Sequence, residues 1–147
     1  MDDLITIRGM LSGDLNLILN SWLESYWDQG RNPHLRGLTK TDFMNGHKAQ
    51  VLDAISRSLI FCAVDKTNPD NIFGWLCVEP ETPSDSHALH YVYVKHTYRK
   101  MGICQMLLKY AIGGDQFIYT HHAKHQFARF LSERAKYNHY RFQRRAG

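Results

Sequence analysis

Arg99, Lys100 and Gly102 stand at the head of an apolar-striped segment, YVKHTYRKMGICQMLLKYA (Tyr93 to Ala111). Their types are those of an anion socket. A helix N-terminus carries unpaired N–H groups and a partial positive charge, and anions bind there readily. A bulky phosphate needs the backbone to come close, and Gly102 has no side chain to prevent it. Arg99 and Lys100 add positive charge at the same end. A plain glycine-containing strand-to-helix turn with solvated basic residues fits the same letters, and one glycine does not choose between the two. Upstream lie two residues that could move protons. His90 has an unperturbed pKa of about 6.5, suited to base work near neutral pH. Glu79 ends IFGWLCVE, where a carboxylate could draw a proton through water or simply be a solvated strand end. Tyr91 and Tyr93 are expected to pack in the sheet. In THHAKHQ, His121 and His125 have i,i+4 spacing, which can bind a metal if helical. No Cys or acidic ligand accompanies them and HExxH is absent, so no metal site is assigned.

These residues need elements to hold them. Leu4 to Arg8 alternates as a short strand. Leu15, Ile18, Leu19, Trp22, Leu23 and Tyr26 then form a helical stripe that Ser12 or Asp14 could cap. DQGRNPHLRGLTKT is a loop. A second helix is predicted from Thr41 or Asp42 to about Arg57, burying Phe43, His47, Val51, Leu52 and Ile55. SLIFCAVD and IFGWLCVE read as a hairpin around KTNPDN, and HALHYVYVK as a third strand. The helix at the socket is predicted over Arg99 to Ile112, ending at Gly113. FIYTH reads as a strand, AKHQFARFLSERAKY as a helix and HYRFQR as a last strand. The predicted order is β-α-α-β-β-β-α-β-α-β, in one domain spanning 1–147, with no repeat or low-complexity segment.

The composition narrows the class. Hydrophobic residues are 44% and charged residues 22% of 147, as in an ordinary globular domain. No apolar run approaches the roughly 18 residues of a membrane span, and MDDLITIRGM has no signal-peptide layout. Cys62, Cys77 and Cys104 are odd in number and lack CxxC spacing, so they read as reduced thiols in or near the core. A cytoplasmic protein without a membrane partner is expected. The net charge of +4 suits an anionic cofactor or partner. RFQRRAG could touch nucleic acid, but no aromatic–basic repeat supports that, and a solvated tail is expected.

VKHTYRKMGICQMLL resembles the coenzyme A loop of the GNAT superfamily of acyl-CoA N-acyltransferases, Q/R-x-x-G-x-G/A after a strand and opening a helix. Arg99, Gly102 and Cys104 occupy its defined positions, with Cys104 departing from Gly or Ala. YVYVKHTYR is similar to the family's VxPxYR lead-in, with His96 in place of Pro. ITIRGMLSGDLNLILNSW resembles its first strand and helix, IFGWLCVE its strand with a G-x-x-x-V/E pattern, and ARFLSERAKY its terminal A-x-x-x-Y-E-K-x-G-F pattern.

The resemblance implies an α/β (α+β) fold whose central sheet is mixed, mostly antiparallel and twisted, splayed in a V and flanked by helices. It implies acetyl-CoA in the V, with the pantetheine arm on the backbone of Val92, Tyr93 and Val94. The diphosphate would lie on Arg99, Lys100, Met101, Gly102, Ile103 and Cys104, and Phe117 to His121 would form the other wall. It implies direct transfer of an acetyl group to an amine of a small molecule, a peptide or a protein. His90 is the first candidate base, placed on the face of Val94 by a simple period-2 count; a bulge would change that face. Glu79 is the second. Ser132 falls where the family's acid Tyr stands, and Tyr137 or Tyr140 could act in its stead. Tyr26 or Trp27 could line an acceptor pocket, with RNPHLRG as a lid. Homodimers occur in the family. Two rival functions stay open: a coenzyme A or nucleic-acid binding protein without turnover, and a GNAT-like modifier of nucleic-acid bases.

Overall fold

The computed structural model describes residues 4–28, 37–120 and 135–142. Its strands and helices run in the order β1 (Ile5–Gly9), α1 (Leu15–Asp28), α2 (Lys40–Ser56), β2 (Leu59–Asp65), β3 (Ile72–Glu79), β4 (His87–Val94), α3 (Ile103–Ala111), β5 (Phe117–Tyr119) and β6 (Ala135–Tyr137). One six-stranded sheet follows chain order, β1 to β6. The pairs from β1 to β4 are antiparallel. The pairs β4–β5 and β5–β6 are parallel. The expected mixed α+β sheet is the one observed.

The sheet is sandwiched between two apolar layers. Ile18, Trp22 and Tyr26 of α1 and Phe43, Val51 and Ala54 of α2 cover Cys62, Trp75, Cys77 and Tyr91 on one face. Ile103 and Leu107 of α3 cover Ala63, Leu76, Val78, Leu89 and Val94 on the other. β3 is buried on both faces from Ile72 to Val78, which explains its nearly unbroken apolar run. Gly74 is needed in that strand. A Cβ there would stand 2.6 Å from the carbonyl oxygen of Tyr93.

The α1 stripe packs as its spacing predicts, and Tyr26 is core rather than pocket wall, stacked on His47. α2 starts at Lys40, its cap being Thr39, which accepts from the Asp42 N–H at 3.1 Å. Leu52 is exposed, and Ala54 takes its place in the buried face. The chain end also departs from expectation. Ala135–Tyr137, read as the end of a helix, is strand β6. His139–Phe142, read as strand, is a 3-10 turn that buries Arg141 and Phe142, so the start of RFQRRAG is not a solvated tail. The predicted helix before it falls largely on residues 121–134, outside the described residues, as do Ser132, His121, His122 and His125. Most of RNPHLRG lies outside them too.

Two irregularities shape the site. β5 pairs with β4 only from His87 to Leu89, while β4 runs on to Val94 along β3. Among the described residues the pairing of these two parallel strands ends at Leu89 and Tyr119. The β3–β4 register also jumps, from Cys77 opposite Tyr91 to Val78 opposite Leu89, which leaves His90 as an extra residue. Such a bulge shifts the strand's alternation by one.

Candidate functional site

α3 does not begin at Arg99. A 3-10 turn, His96–Tyr98, is followed by Lys100 at φ 70 and Gly102 at φ 81, and the helix starts at Ile103. Both φ values are left-handed and cannot continue a right-handed helix. Gly102 is the N-cap, and its carbonyl accepts from the Met106 N–H at 2.9 Å. The N–H groups of the first turn have no intrahelical acceptor, and they open beside Gly102. A Cβ on Gly102 would meet nothing within 4 Å. The turn at Gly102 is therefore open to solvent. Lys100, Met101 and Gly102 are exposed, while Arg99 and Cys104 are half-buried and Ile103 is core.

The strand leading to this turn has backbone groups that β3 does not engage. The Lys95 N–H donates to the Phe73 carbonyl at 2.9 Å. In an antiparallel ladder the bonded pairs alternate, so the N–H and C=O groups of Val94 and Val92 point away from β3. They face the β5 side of β4, beyond the last described β4–β5 pair, Leu89 and Tyr119. The carbonyl of Val94 receives Arg99 Nε at 2.9 Å, so Arg99 ties the socket to the strand. Tyr93 points to the opposite layer, near Trp75. Tyr91 is sheet packing, stacked on Trp22 at 5.1 Å with its hydroxyl bonded to Ser25 at 2.8 Å. Burial pushes its phenol pKa up.

The bulge brings His90 and Glu79 together. Without it His90 would share a face with Val94. With it, His90 sits with Phe142 and Glu79 on the α2 side, while Val94 packs under α3. His90 Nε2 lies 3.2 Å from Glu79 Oε1, and Nδ1 lies 3.0 Å from Thr120 Oγ1. The His90 side chain has 0% exposed surface and that of Glu79 has 21%. Arg57 Nη1 donates to Glu79 at 2.7 Å, and Arg141 Nη2 stands 3.9 Å away. The Glu79 pKa is lowered, chiefly by the hydrogen bond from His90 and further by the nearby cations. The His90 pKa is also lowered, because burial disfavours the imidazolium more than Glu79 favours it. Near neutral pH the pair is a neutral imidazole beside a carboxylate.

Arg57, Thr120 and Arg141 carry no motif in the sequence. Arg57 reads as the last turn of an amphipathic helix and Arg141 as tail charge. Only the pairing of strands makes Thr120 a neighbour of His90.

Among the described residues, one group has metal-ligand types close together: Glu81, His87 and Asp115. His87 Nδ1 accepts the Glu81 N–H at 3.2 Å. The neutral ring therefore holds its proton on Nε2, which points at Asp115 from 3.2 Å. The carboxylates meet a proton there, not a lone pair. No described helix is long and apolar enough to cross a membrane, and the three cysteines are free thiols.

The end of the β4–β5 pairing, the bulge and the left-handed turn all lie within a family match. The model of the acetyltransferase (GNAT) family covers residues 19–139. The chain belongs to the GNAT acetyltransferase family. No curated protein matches it significantly. Among solved structures, a Pyrococcus furiosus protein provisionally named an acetyl transferase is 16% identical at a TM-score of 0.61, over 86% of this GNAT chain and 88% of that one. A GCN5-related N-acetyltransferase from Ralstonia eutropha is 15% identical at 0.56, over 86% and 88%. A predicted acetyltransferase from Clostridium acetobutylicum, solved with acetyl-CoA, is 11% identical at 0.55, over 88% and 90%. At these identities the likeness is one of fold. Acyl transfer is the chemistry of the GNAT family, and an acceptor substrate goes with it.

Proposed function

We propose that the chain transfers an acetyl group from acetyl-CoA to an amine by direct attack. The observation that carries the proposal is the continuity of β4. The same strand carries the bulged His90, buried beside Glu79, then the outward backbone of Val92 and Val94, then leads into the Arg99–Cys104 turn. A ligand with a reactive thioester, a peptide-like arm and a diphosphate would lie along these three stretches in that order, its thioester nearest the Glu79 carboxylate. When bound, acetyl-CoA supplies the activated acyl group.

The chain's own residues supply the rest. Backbone donors at the α3 N-terminus and Lys100 would hold the diphosphate. Val92 and Val94 would bond the amide-bearing arm. An ammonium ion is not a nucleophile, so the acceptor must lose a proton. The His90–Glu79 pair is the proposed destination, neutral on one side and ionised on the other. Arg57 holds the carboxylate in place, and its charge helps keep Glu79 ionised. Ser132 is the proposed acid for the leaving thiolate. The acceptor is an amine of a small molecule, a peptide N-terminus or a lysine.

A second proposal, a coenzyme A binder without turnover, draws on one observation: both ring nitrogens of His90 are engaged by the protein. One experiment separates them. Acetyl-CoA is titrated calorimetrically, and thiol release is then followed over a panel of amines. Micromolar binding with amine-dependent thiol release supports the transferase. Binding without release over the whole panel supports the binder. Absence of binding overturns both.

A further inference from the structure

We propose that Arg141 is a positioning residue shared between Asp85 and Glu79, and that Asp85 holds it off the Glu79 oxygen that meets the acceptor. The proposal rests on the acyl-transfer reading above. The two oxygens of Glu79 are not equivalent. Oε1 receives Arg57 Nη1 at 2.7 Å and faces His90 Nε2 at 3.2 Å. Among the described residues no hydrogen bond reaches Oε2, and Arg141 Nη2 stands 3.9 Å from it. The Glu79 side chain is 21% exposed, against 0% for His90. Oε2 is therefore the spare acceptor on the member of the pair that solvent reaches, and an acceptor's N–H can bond there.

Arg141 comes close to capturing that oxygen and does not. Its side chain is 7% exposed. Nη2 donates to the Ser86 carbonyl at 3.3 Å. Nη1 lies 3.9 Å from Asp85 Oδ1, the same distance that separates Nη2 from Glu79 Oε2. Neither distance is a hydrogen bond. Nε and Nη1 are buried and have no hydrogen-bond partner, so no bond of their own fixes them. Buried donors left this way are unfavourable, and a shift of about 1 Å toward either carboxylate closes a bond. The backbones on both sides are anchored. Phe142 packs on Trp22 and His90, and its carbonyl accepts from Arg57. Asp85 is bridged to Thr82 by backbone bonds of 2.9 and 3.3 Å. The guanidinium is the part free to choose.

The choice has a chemical consequence. If Arg141 closes on Glu79, it occupies Oε2, and its charge offsets the carboxylate that would hold an imidazolium at His90. If it leans to Asp85, Oε2 stays open and Glu79 keeps its full charge toward His90. The charged groups acting on His90 are Glu79, Arg57 and Arg141. Asp85 reaches the pair through Arg141, so its influence must vanish when Arg141 is removed.

The test is a double-mutant cycle on Asp85→Asn and Arg141→Met. Asp85→Asn should release Arg141 onto Glu79. Expected is a kcat about 10-fold lower, with the KM for acetyl-CoA unchanged. The His90 titration, read by NMR of labelled histidine, should move to lower pH. In the Arg141→Met background Asp85→Asn should change neither. Asp85→Asn without effect on rate and titration overturns the proposal. So does an equal effect with and without Arg141, which would make Asp85 a support of its loop only. Where Arg141→Met fails to fold, Asp85→Glu supplies the second arm. It restores the charge and should recover the rate and titration that Asp85→Asn loses; failure to recover either overturns the proposal. An amine panel without turnover overturns acyl transfer and any part of Arg141 in it, and the His90 titration then decides whether the guanidinium is shared.

Discussion

Arg57 Nη1 donates to Glu79 Oε1 at 2.7 Å, and this bond joins the end of α2 to the end of β3. The same guanidinium donates from Nη2 to the Phe142 carbonyl at 2.7 Å and from Nε to Asp53 at 3.3 Å. Three segments distant in sequence are therefore fixed by one side chain. The carboxylate it holds is also the one facing His90. Position and charge of the candidate base are set together.

Replacing Arg57 by Met should separate those roles. The methionine keeps the aliphatic stem and loses every bond. Glu79 and the Phe142 carbonyl are left poorly partnered, which should cost about 1–3 kcal/mol of stability. Urea unfolding measures it through the midpoint at constant slope. An unchanged midpoint would show that the clasp contributes nothing to the fold.

Acid should weaken the fold in two stages. The groups facing His90 are Glu79, Arg57 and Arg141. Its folded pKa lies below the ordinary 6.5, so below 6.5 the unfolded chain binds a proton that the folded chain refuses. Stability then rises with pH and falls on acidification from about 6.5 downward. Glu79 adds a second stage. Its folded pKa lies below the ordinary 4.5, so its contribution is present above 4.5 and is lost as pH falls through the depressed value. Melting temperature measured from about pH 8 down to about pH 3 should show both slopes. His90→Gln should flatten the first slope and also shrink the second, because His90 is the main cause of the lowered Glu79 value; a first slope of full size in that variant would assign it to another group.

How far these features could be read from the letters depends on what specifies them. The α1 stripe was legible because a helix on a sheet must show its apolar residues at 3.6 spacing, and Ile18, Trp22 and Tyr26 do. The turn before α3 was legible in type, since Gly102 and its polar neighbours advertise one. Its boundary was not, because the left-handed φ of Lys100 has no sequence signature; lysine is not a residue that favours that region. The face of His90 was not legible either. A bulge is a property of two strands in register, and counting along one strand gives the wrong phase. Ala135–Tyr137 is three residues long, too short for alternation to outweigh the helix-like letters before it. Leu52 illustrates the converse. An apolar residue one position off the buried stripe of α2 stays exposed, as single surface leucines do.

The socket itself makes a sharp test. Gly102→Glu places a carboxylate in the open space where the diphosphate is proposed to lie. The left-handed φ adds strain of about 1–2 kcal/mol, which a domain of this size should survive. Expected is loss of measurable acetyl-CoA binding in calorimetry, with an unchanged circular dichroism spectrum. Gly102→Ala carries the same strain without the charge and should bind more weakly than wild type but detectably. Retained affinity in Gly102→Glu would move the coenzyme elsewhere.

The last prediction concerns Glu79. Glu79→Gln keeps the size of the side chain and removes its charge. The imidazole loses the carboxylate that would hold its positive form, and an amide facing Nε2 can also donate, which favours the opposite tautomer. A base that cannot stabilise its own conjugate acid is a poor base. Turnover should fall about 100-fold, with acetyl-CoA affinity unchanged because the socket lies at the other end of β4. Thiol release at saturating acetyl-CoA measures the first and calorimetry the second. Glu79→Asp keeps the charge on a shorter arm and should recover part of the rate. If Glu79→Gln turns over like wild type, neither Glu79 nor the proton path through His90 takes part. If its acetyl-CoA affinity falls with its rate, Glu79 organises the gap and does not serve the chemistry.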